Sequence, residues 1–226
     1  MDEAHDARDA ILRSWDANAR AWTDSVREAR IESRRVATDA AILDAVCALA
    51  PARVLDVGCG EGWLTRALGA HGIEAVGVDG CAALIEAATA SGGGPFHVRN
   101  YAAIEAAPCA LGRFDAAVCN FALFEQDLSP LLAALHALLS VPGALLIQTV
   151  HPDARPDGGR ADGWRLETFA PLGAGYTAPM PWYFRMLDSW RRALADAGFD
   201  AVHDTHVHHP ASRAPLSLIL QATKSH

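Results

Sequence analysis

Val54-Leu55-Asp56-Val57-Gly58-Cys59-Gly60-Glu61-Gly62, followed by Asp79 at the end of a second apolar run, decides how this chain folds. Arg53 to Val57 reads as a short buried strand. Three alternating glycines then turn the chain tightly, and Trp63 to His71 continues as a helix with apolar residues at helical spacing. Glycine suits this bend because a Cβ penalises positive φ and would block a nucleoside held against the backbone. The second run, Val76-Gly77-Val78-Asp79-Gly80, ends in a carboxylate that can accept hydrogen bonds from both hydroxyls of a ribose.

Outward from this unit, strands are expected at Arg53 to Val57, Glu74 to Asp79, Phe96 to Arg99, Phe114 to Asn120 and Ala144 to Val150. Helices near Trp63 to His71, Ala82 to Ala90 and Leu128 to Leu139 separate them. Such alternation implies a parallel sheet wrapped by helices. Pro142-Gly143 reads as the turn into the fifth strand. A helix over Tyr183 to Ala197 and strands near Ala201 to Val207 and Leu216 to Thr223 close the chain. Ile11 to Leu49 reads as two or three further helices. Between Val150 and Trp182 lies a long connection rich in Gly, Pro, Asp and aromatic residues; connections of that length are functional or disordered.

Two cofactor classes compete for the glycine turn. A nicotinamide or flavin enzyme expects Gly-x-Gly-x-x-Gly, and position 63 is Trp, so that fingerprint fails by one residue. Asp56-Val57-Gly58-Cys59-Gly60-Glu61-Gly62 instead resembles the first motif of the class I S-adenosylmethionine-dependent methyltransferases, an acid followed by Gly-x-Gly-x-Gly. The resemblance covers roughly Ile42 to Thr223. It implies an α/β fold, a doubly wound seven-stranded, mostly parallel sheet with an antiparallel C-terminal hairpin, plus N-terminal lid helices. It also implies residues 1–40 as the lid and residues 41–226 as the methyltransferase domain, with a substrate-lid insertion about residues 151–183.

The implied cofactor is S-adenosyl-L-methionine, with S-adenosyl-L-homocysteine as product. Asp56 would face its methionine end, Gly58, Gly60 and Gly62 would form the bend, and Asp79 with Gly80 would hold the ribose. Asp56 as a cap of the turn and Asp79 as a helix start are the plain alternatives. In an open parallel sheet the ligand lies beyond the carboxyl ends of the strands. That rule adds Asn100 and Tyr101 beside the adenine, and Asn120, Phe121 and Leu123 after the fourth strand. It also adds His151 after the fifth.

Transfer from a sulfonium requires alignment above all, and a base only where the acceptor atom carries a proton. His151 is the candidate base, or else a structural histidine binding a loop carbonyl. Tyr183, Glu125 and Asp127 are weaker candidates. Trp22 can face the sulfonium or a flat substrate; Trp15 lies seven residues earlier, at the spacing of a packed helical stripe. One of Arg27, Arg30 and Arg34 can reach the cofactor carboxylate, with Arg34 entered in the site. Trp164, Trp182, Tyr183 and their aromatic neighbours would wall a pocket for a small, planar or hydrophobic substrate.

The balance of 27 acids against 19 bases, a net charge of -8, argues against a nucleic-acid-binding face. Asn120-Phe121-Ala122-Leu123 also lacks the Pro-Pro-aromatic pattern of amino-methylating nucleic-acid enzymes. Methylation of an RNA base or protein side chain, and a cofactor-binding partner protein without transfer activity, are the rival functions. The five cysteines have no paired metal spacing and fit free thiols in a reducing cytosol. His203, His206, His208 and His209 lack accompanying acids or cysteines at ligand spacing, so no metal is expected. No apolar stretch is long enough to cross a bilayer, and a soluble cytoplasmic protein is the expectation.

Overall fold

The computed structural model describes residues 3–154 and 161–226. Helix α1 (Glu3–Arg27) precedes a π-helical turn, Arg34–Thr38, which runs into α2 (Asp39–Ala48). Then come β1 (Arg53–Val57), α3 (Trp63–Ala70), β2 (Glu74–Asp79), α4 (Ala82–Ser91), β3 (Phe96–Val98), α5 (Tyr101–Ala106) and β4 (Phe114–Asn120). The second half holds α6 (Ser129–Leu138), β5 (Leu139–Val150), β6 (Gly163–Glu167), β7 (Met180–Phe184), α7 (Leu187–Asp196), β8 (Ala201–His208) and β9 (Pro215–Lys224).

Seven strands form one sheet in the order β3-β2-β1-β4-β5-β9-β8. β1 pairs in parallel with both β2 and β4, whereas β9 lies antiparallel between β5 and β8. The expected architecture is therefore present, with its reversal of strand order beside β1. Central strands are buried on both faces, which explains their near-continuous apolar runs. One core layer packs α6 and α7 residues such as Leu132, Leu135 and Trp190 on the sheet; the other packs Ile42 and Val46 of α2 with Leu64 and Leu68 of α3.

Three expectations need correction. Pro142-Gly143 lies inside β5, where the pairing with β4 shifts register after Leu139 faces Phe114; the dipeptide makes an irregularity within a strand rather than a turn before it. Tyr183 belongs to β7, and the following helix begins only at Leu187. The connection after β5 is not structureless: β6 and β7 pair as a separate antiparallel ribbon. Asn100 caps a short helix, α5, that was not anticipated; its side-chain oxygen accepts the Ala103 N–H at 2.9 Å.

Candidate active site

A cavity of about 380 Å³ opens over the carboxyl ends of β1, β2, β4 and β5, roofed by α1 and by the segment that carries β6 and β7. Its floor is the glycine turn. Gly58, Gly60 and Gly62 all have positive φ. A Cβ on Gly58 would stand 2.4 Å from that of Ala122, and one on Gly62 would meet the Phe96 ring at 2.7 Å. These two glycines thus make room for protein neighbours. Gly60 presents its bare backbone to the cavity beneath Trp22, whose Nε1 would lie 3.5 Å from an added Cβ.

Asp79, at the tip of β2, lines the cavity. Its Oδ2 accepts the Gly60 N–H at 2.9 Å and its Oδ1 the Cys81 N–H at 2.8 Å, so the turn and the next helix fix its orientation. Burial raises its pKa, and the backbone donors partly oppose that shift. Asp56 lies one layer lower. It is fully buried, does not line the cavity, and accepts the Thr65 hydroxyl at 2.8 Å. Burial pushes it to about 7, with the Thr65 bond opposing and the nearby Asp79 charge adding.

The first-motif acid therefore braces the turn onto α3 from beneath the cavity wall. Glu61 does the same on the outer side, taking Arg66 at 2.7 Å and Arg27 at 2.9 Å. That pairing ties the last turn of α1 to the glycine turn, so Arg27 is not the group that reaches into the cavity.

Arg34 is. The π-helical turn aims its guanidinium into the cavity between two indoles, 4.8 Å from the Trp63 ring centroid and 5.8 Å from that of Trp22. Nε is bound to Asp39 at 2.9 Å, whereas the buried Nη2 has no hydrogen-bond partner. Two further cavity residues, Asn120 on β4 and Gln148 on β5, are paired in register. Their amide oxygens are also buried without donors. Gln148 Nε2 binds Thr38 O at 3.1 Å, which connects this pair to the turn carrying Arg34. Buried polar atoms left unbonded are costly. One buried guanidinium nitrogen and two buried amide oxygens, all without partners, thus belong to side chains of the cavity wall.

At the other end the walls come from α1, the residues after β4, and the insert. Trp15 packs against Trp22 at 5.2 Å, Phe169 at 5.9 Å and Phe124 at 6.0 Å between ring centroids. Phe169 in turn stacks on Tyr176 at 4.9 Å. Buried Asn18 on α1 clamps the roof together: its Oδ1 accepts the Thr177 N–H at 2.8 Å and its Nδ2 donates to Ala178 O at 2.6 Å. Arg8 grips Glu125 through two bonds, 2.8 and 2.6 Å, and touches Glu105 at 3.1 Å.

Of the anticipated site residues, Trp22, Arg34, Gly58, Gly60, Asp79, Gly80, Asn100, Tyr101, Asn120, Phe121, Leu123 and Trp182 line this cavity. Asp56, Gly62, His151, Trp164 and Tyr183 do not. Strand alternation separates Tyr183 from Trp182, and register places Trp164 opposite Tyr183 on the outer face of the ribbon. His151 turns toward the sheet edge, with Nε2 2.7 Å from His206 Nδ1 and Nδ1 accepting the Asp153 N–H at 3.0 Å. His206 Nε2 continues the chain to Asp204 at 3.1 Å. Burial and the neighbouring imidazoles lower the His151 pKa. Tyr101 is spoken for as well, its hydroxyl donating to Ala122 O. The oxygen of Asn100 expected to bind adenine is engaged in its helix cap.

Gln148, Arg8, Asn18 and Glu167 escaped the sequence reading. Only Gln148 carried a signal, as the one amide in Ala144-Leu145-Leu146-Ile147-Gln148. The others are distant in sequence from the turn and are brought in by tertiary packing. Among the described residues, no group of three or more His, Cys, Asp or Glu side chains is placed to hold a metal ion, and no helix is long and apolar enough to cross a membrane.

Comparison with known proteins sets this geometry in context. The sequence profile of a family described as a methyltransferase domain matches residues 26–204. A malonyl-[acyl-carrier protein] O-methyltransferase from Pseudescherichia vulneris is 33% identical over 108 residues, spanning 47% of this chain and 42% of that protein. The solved 1,6-didemethyltoxoflavin-N1-methyltransferase of Burkholderia thailandensis, with bound 1,6-didemethyltoxoflavin and S-adenosylhomocysteine, superposes with a TM-score of 0.64. Identity to it is 20%, covering 100% of this chain and 92% of that one. An S-adenosylmethionine-dependent methyltransferase from Mesorhizobium loti gives 0.59 at 22% identity, covering 80% and 96%.

Proposed function

Because the chain belongs to the family of methyltransferase domains, we propose that it transfers a methyl group from S-adenosylmethionine to a small, planar or hydrophobic metabolite, with donor and acceptor both held in the cavity under α1. The observation that carries this reading is a cavity at the carboxyl edge of the sheet whose wall includes Arg34, Asn120 and Gln148, each with a buried polar atom left without a partner. Arg34 Nη2 would take the donor's carboxylate, and Asn120 and Gln148 oxygens its ammonium. Asp79 would take the ribose hydroxyls with lone pairs not used by Gly60 and Cys81, and Gly60 would lie under the nucleoside. Asp56 and Gly62 would support the turn from behind.

When bound, the sulfonium supplies an activated methyl group. The protein's own contribution is alignment and exclusion of water. Trp15, Phe124 and Phe169 close the acceptor end with apolar surface, and Asn18 holds the insert over it. A cavity walled by indoles and phenyl rings favours flat acceptors, which gain burial on both faces. The two carboxylates on Arg8, those of Glu105 and Glu125, and the acidic net charge oppose a polyphosphate chain. The bound substrate of the Burkholderia enzyme, a small molecule held by the same fold, is consistent with this size class.

Calorimetry with S-adenosylhomocysteine tests the reading. Wild-type protein should bind it, and Asp79→Asn, which keeps the shape but loses charge, should bind about a hundredfold more weakly. An Asp79→Asn variant with unchanged affinity would remove the β2 acid from the donor site. Absence of binding by the wild type would remove the site itself.

A further inference from the structure

Besides Asp79 and Arg34, the cavity wall carries the carboxylates of Glu125 and Glu167 and the guanidiniums of Arg8 and Arg99; Arg8 already spends Nε and Nη2 on Glu125 and on Glu105, which does not line the cavity. Arg99, at the tip of the third strand beside Asn100, gives Nη2 to Ala103 O at 2.9 Å. Arg165 bonds Trp164 O and Ala161 O and does not line the cavity.

Glu167 differs from Glu105 and Glu125 because, among the described residues, no arginine bonds its carboxylate. It ends β6 with its side chain in the cavity wall, and its Oε1 accepts the Phe169 N–H at 2.6 Å. That bond fixes the carboxylate beside the ring that packs on Trp15. No histidine or lysine lines the cavity among the described residues, and the Tyr101 hydroxyl is engaged. A flat ring carrying N–H would find an acceptor oxygen beside aromatic faces.

We infer that the acceptor is a planar nitrogen heterocycle bearing a ring N–H, recognised and deprotonated by Glu167. This rests on the methyl-transfer reading above. The bond from ring nitrogen to methyl carbon forms as the carbon–sulfur bond breaks, leaving its electron pair on sulfur. The N–H proton passes to the Glu167 carboxylate, so a neutral thioether, a neutral N-methyl ring and a protonated acid result.

The test is calorimetry on protein saturated with S-adenosylhomocysteine, titrated with benzimidazole, 1-methylbenzimidazole and 2-naphthoate. Benzimidazole should bind at least tenfold more tightly than either comparison compound. Glu167→Gln, which keeps the oxygen that accepts the Phe169 N–H, should erase about tenfold of that preference while S-adenosylhomocysteine affinity and thermal midpoint stay unchanged. Glu167→Asp, which withdraws the charge by one methylene, should fall between. Equal or tighter binding of 2-naphthoate, no binding of any of the three, or a preference untouched in both variants would overturn the inference. Loss of S-adenosylhomocysteine binding by the wild type would instead overturn the methyl-transfer reading beneath it.

Discussion

The two ends of the cavity are built on different principles. At the glycine turn, polar groups are fixed by short-range backbone geometry: Asp79 is held by Gly60 and Cys81, while Asn120 and Gln148 sit on adjacent strands in register. At the acceptor end, the walls come from α1, the residues after β4 and the insert, and long-range contacts such as Asn18 to Thr177 hold them. A ligand's invariant part can be recognised by a rigid sheet edge. Its variable part meets surfaces that can change without disturbing the sheet.

That division can be broken one residue at a time. Arg34→Ala should come next after Asp79→Asn, weakening S-adenosylhomocysteine binding about thirtyfold in calorimetry, because it removes a desolvated charge held between Trp22 and Trp63. Arg34→Lys should recover only part of this, since an ammonium lacks the planar face that stacks between indoles. Equal affinity in all three proteins would place the donor's carboxylate elsewhere.

Asn18→Ala should act on the other end. With the Thr177 N–H and Ala178 O stripped of their side-chain partner, KM for the acceptor should rise about tenfold and stability should fall by about 2 kcal/mol, while donor affinity changes less than twofold. Parallel loss of donor and acceptor binding would mean that the two ends are one unit.

Asp56→Asn sharpens the comparison from below. An acid raised to about 7 binds a proton in the folded chain that the unfolded chain releases near pH 4, so its contribution to stability declines as pH rises through that interval and is lowest above 7. The substitution retains an oxygen for the Thr65 hydroxyl. It should raise the thermal midpoint at pH 8 by several degrees, flatten the pH dependence of stability between pH 4 and 7, and leave donor affinity within a few-fold. A large loss of donor affinity would return Asp56 to direct contact.

The smallest effect is expected from His151→Ala. Its ring bonds His206 at the sheet edge, so turnover should stay within about twofold of wild type, measured by methyl incorporation across pH 6 to 9. A selective fall in turnover with an altered pH profile would restore it as a base.

The sheet was legible in the sequence because its signals are local. β1, β2 and β4 match the expected ranges residue for residue, since each is an apolar run ended by a polar residue or glycine. Asp79 at the tip of β2 was visible for the same reason, whereas Arg34 was one of three arginines between which the sequence carries no local signal. The acceptor end was not legible. Pairing of β6 with β7 decides which aromatic faces inward, and a single-residue alternation sends Trp182 into the cavity and Tyr183 out of it. His151 was misplaced because topology fixes where a strand ends but not how the next side chain turns. Arg8 and Asn18 depend on contacts across more than a hundred residues, and Glu167 on the pairing of β6 with β7.

Helix α1 is riveted at two places: Arg27 near its last turn to Glu61, and Arg8 near its start to Glu125. One rod therefore spans both chambers. Lifting either end would cost an ion pair and tilt the ceiling over the other end of the cavity.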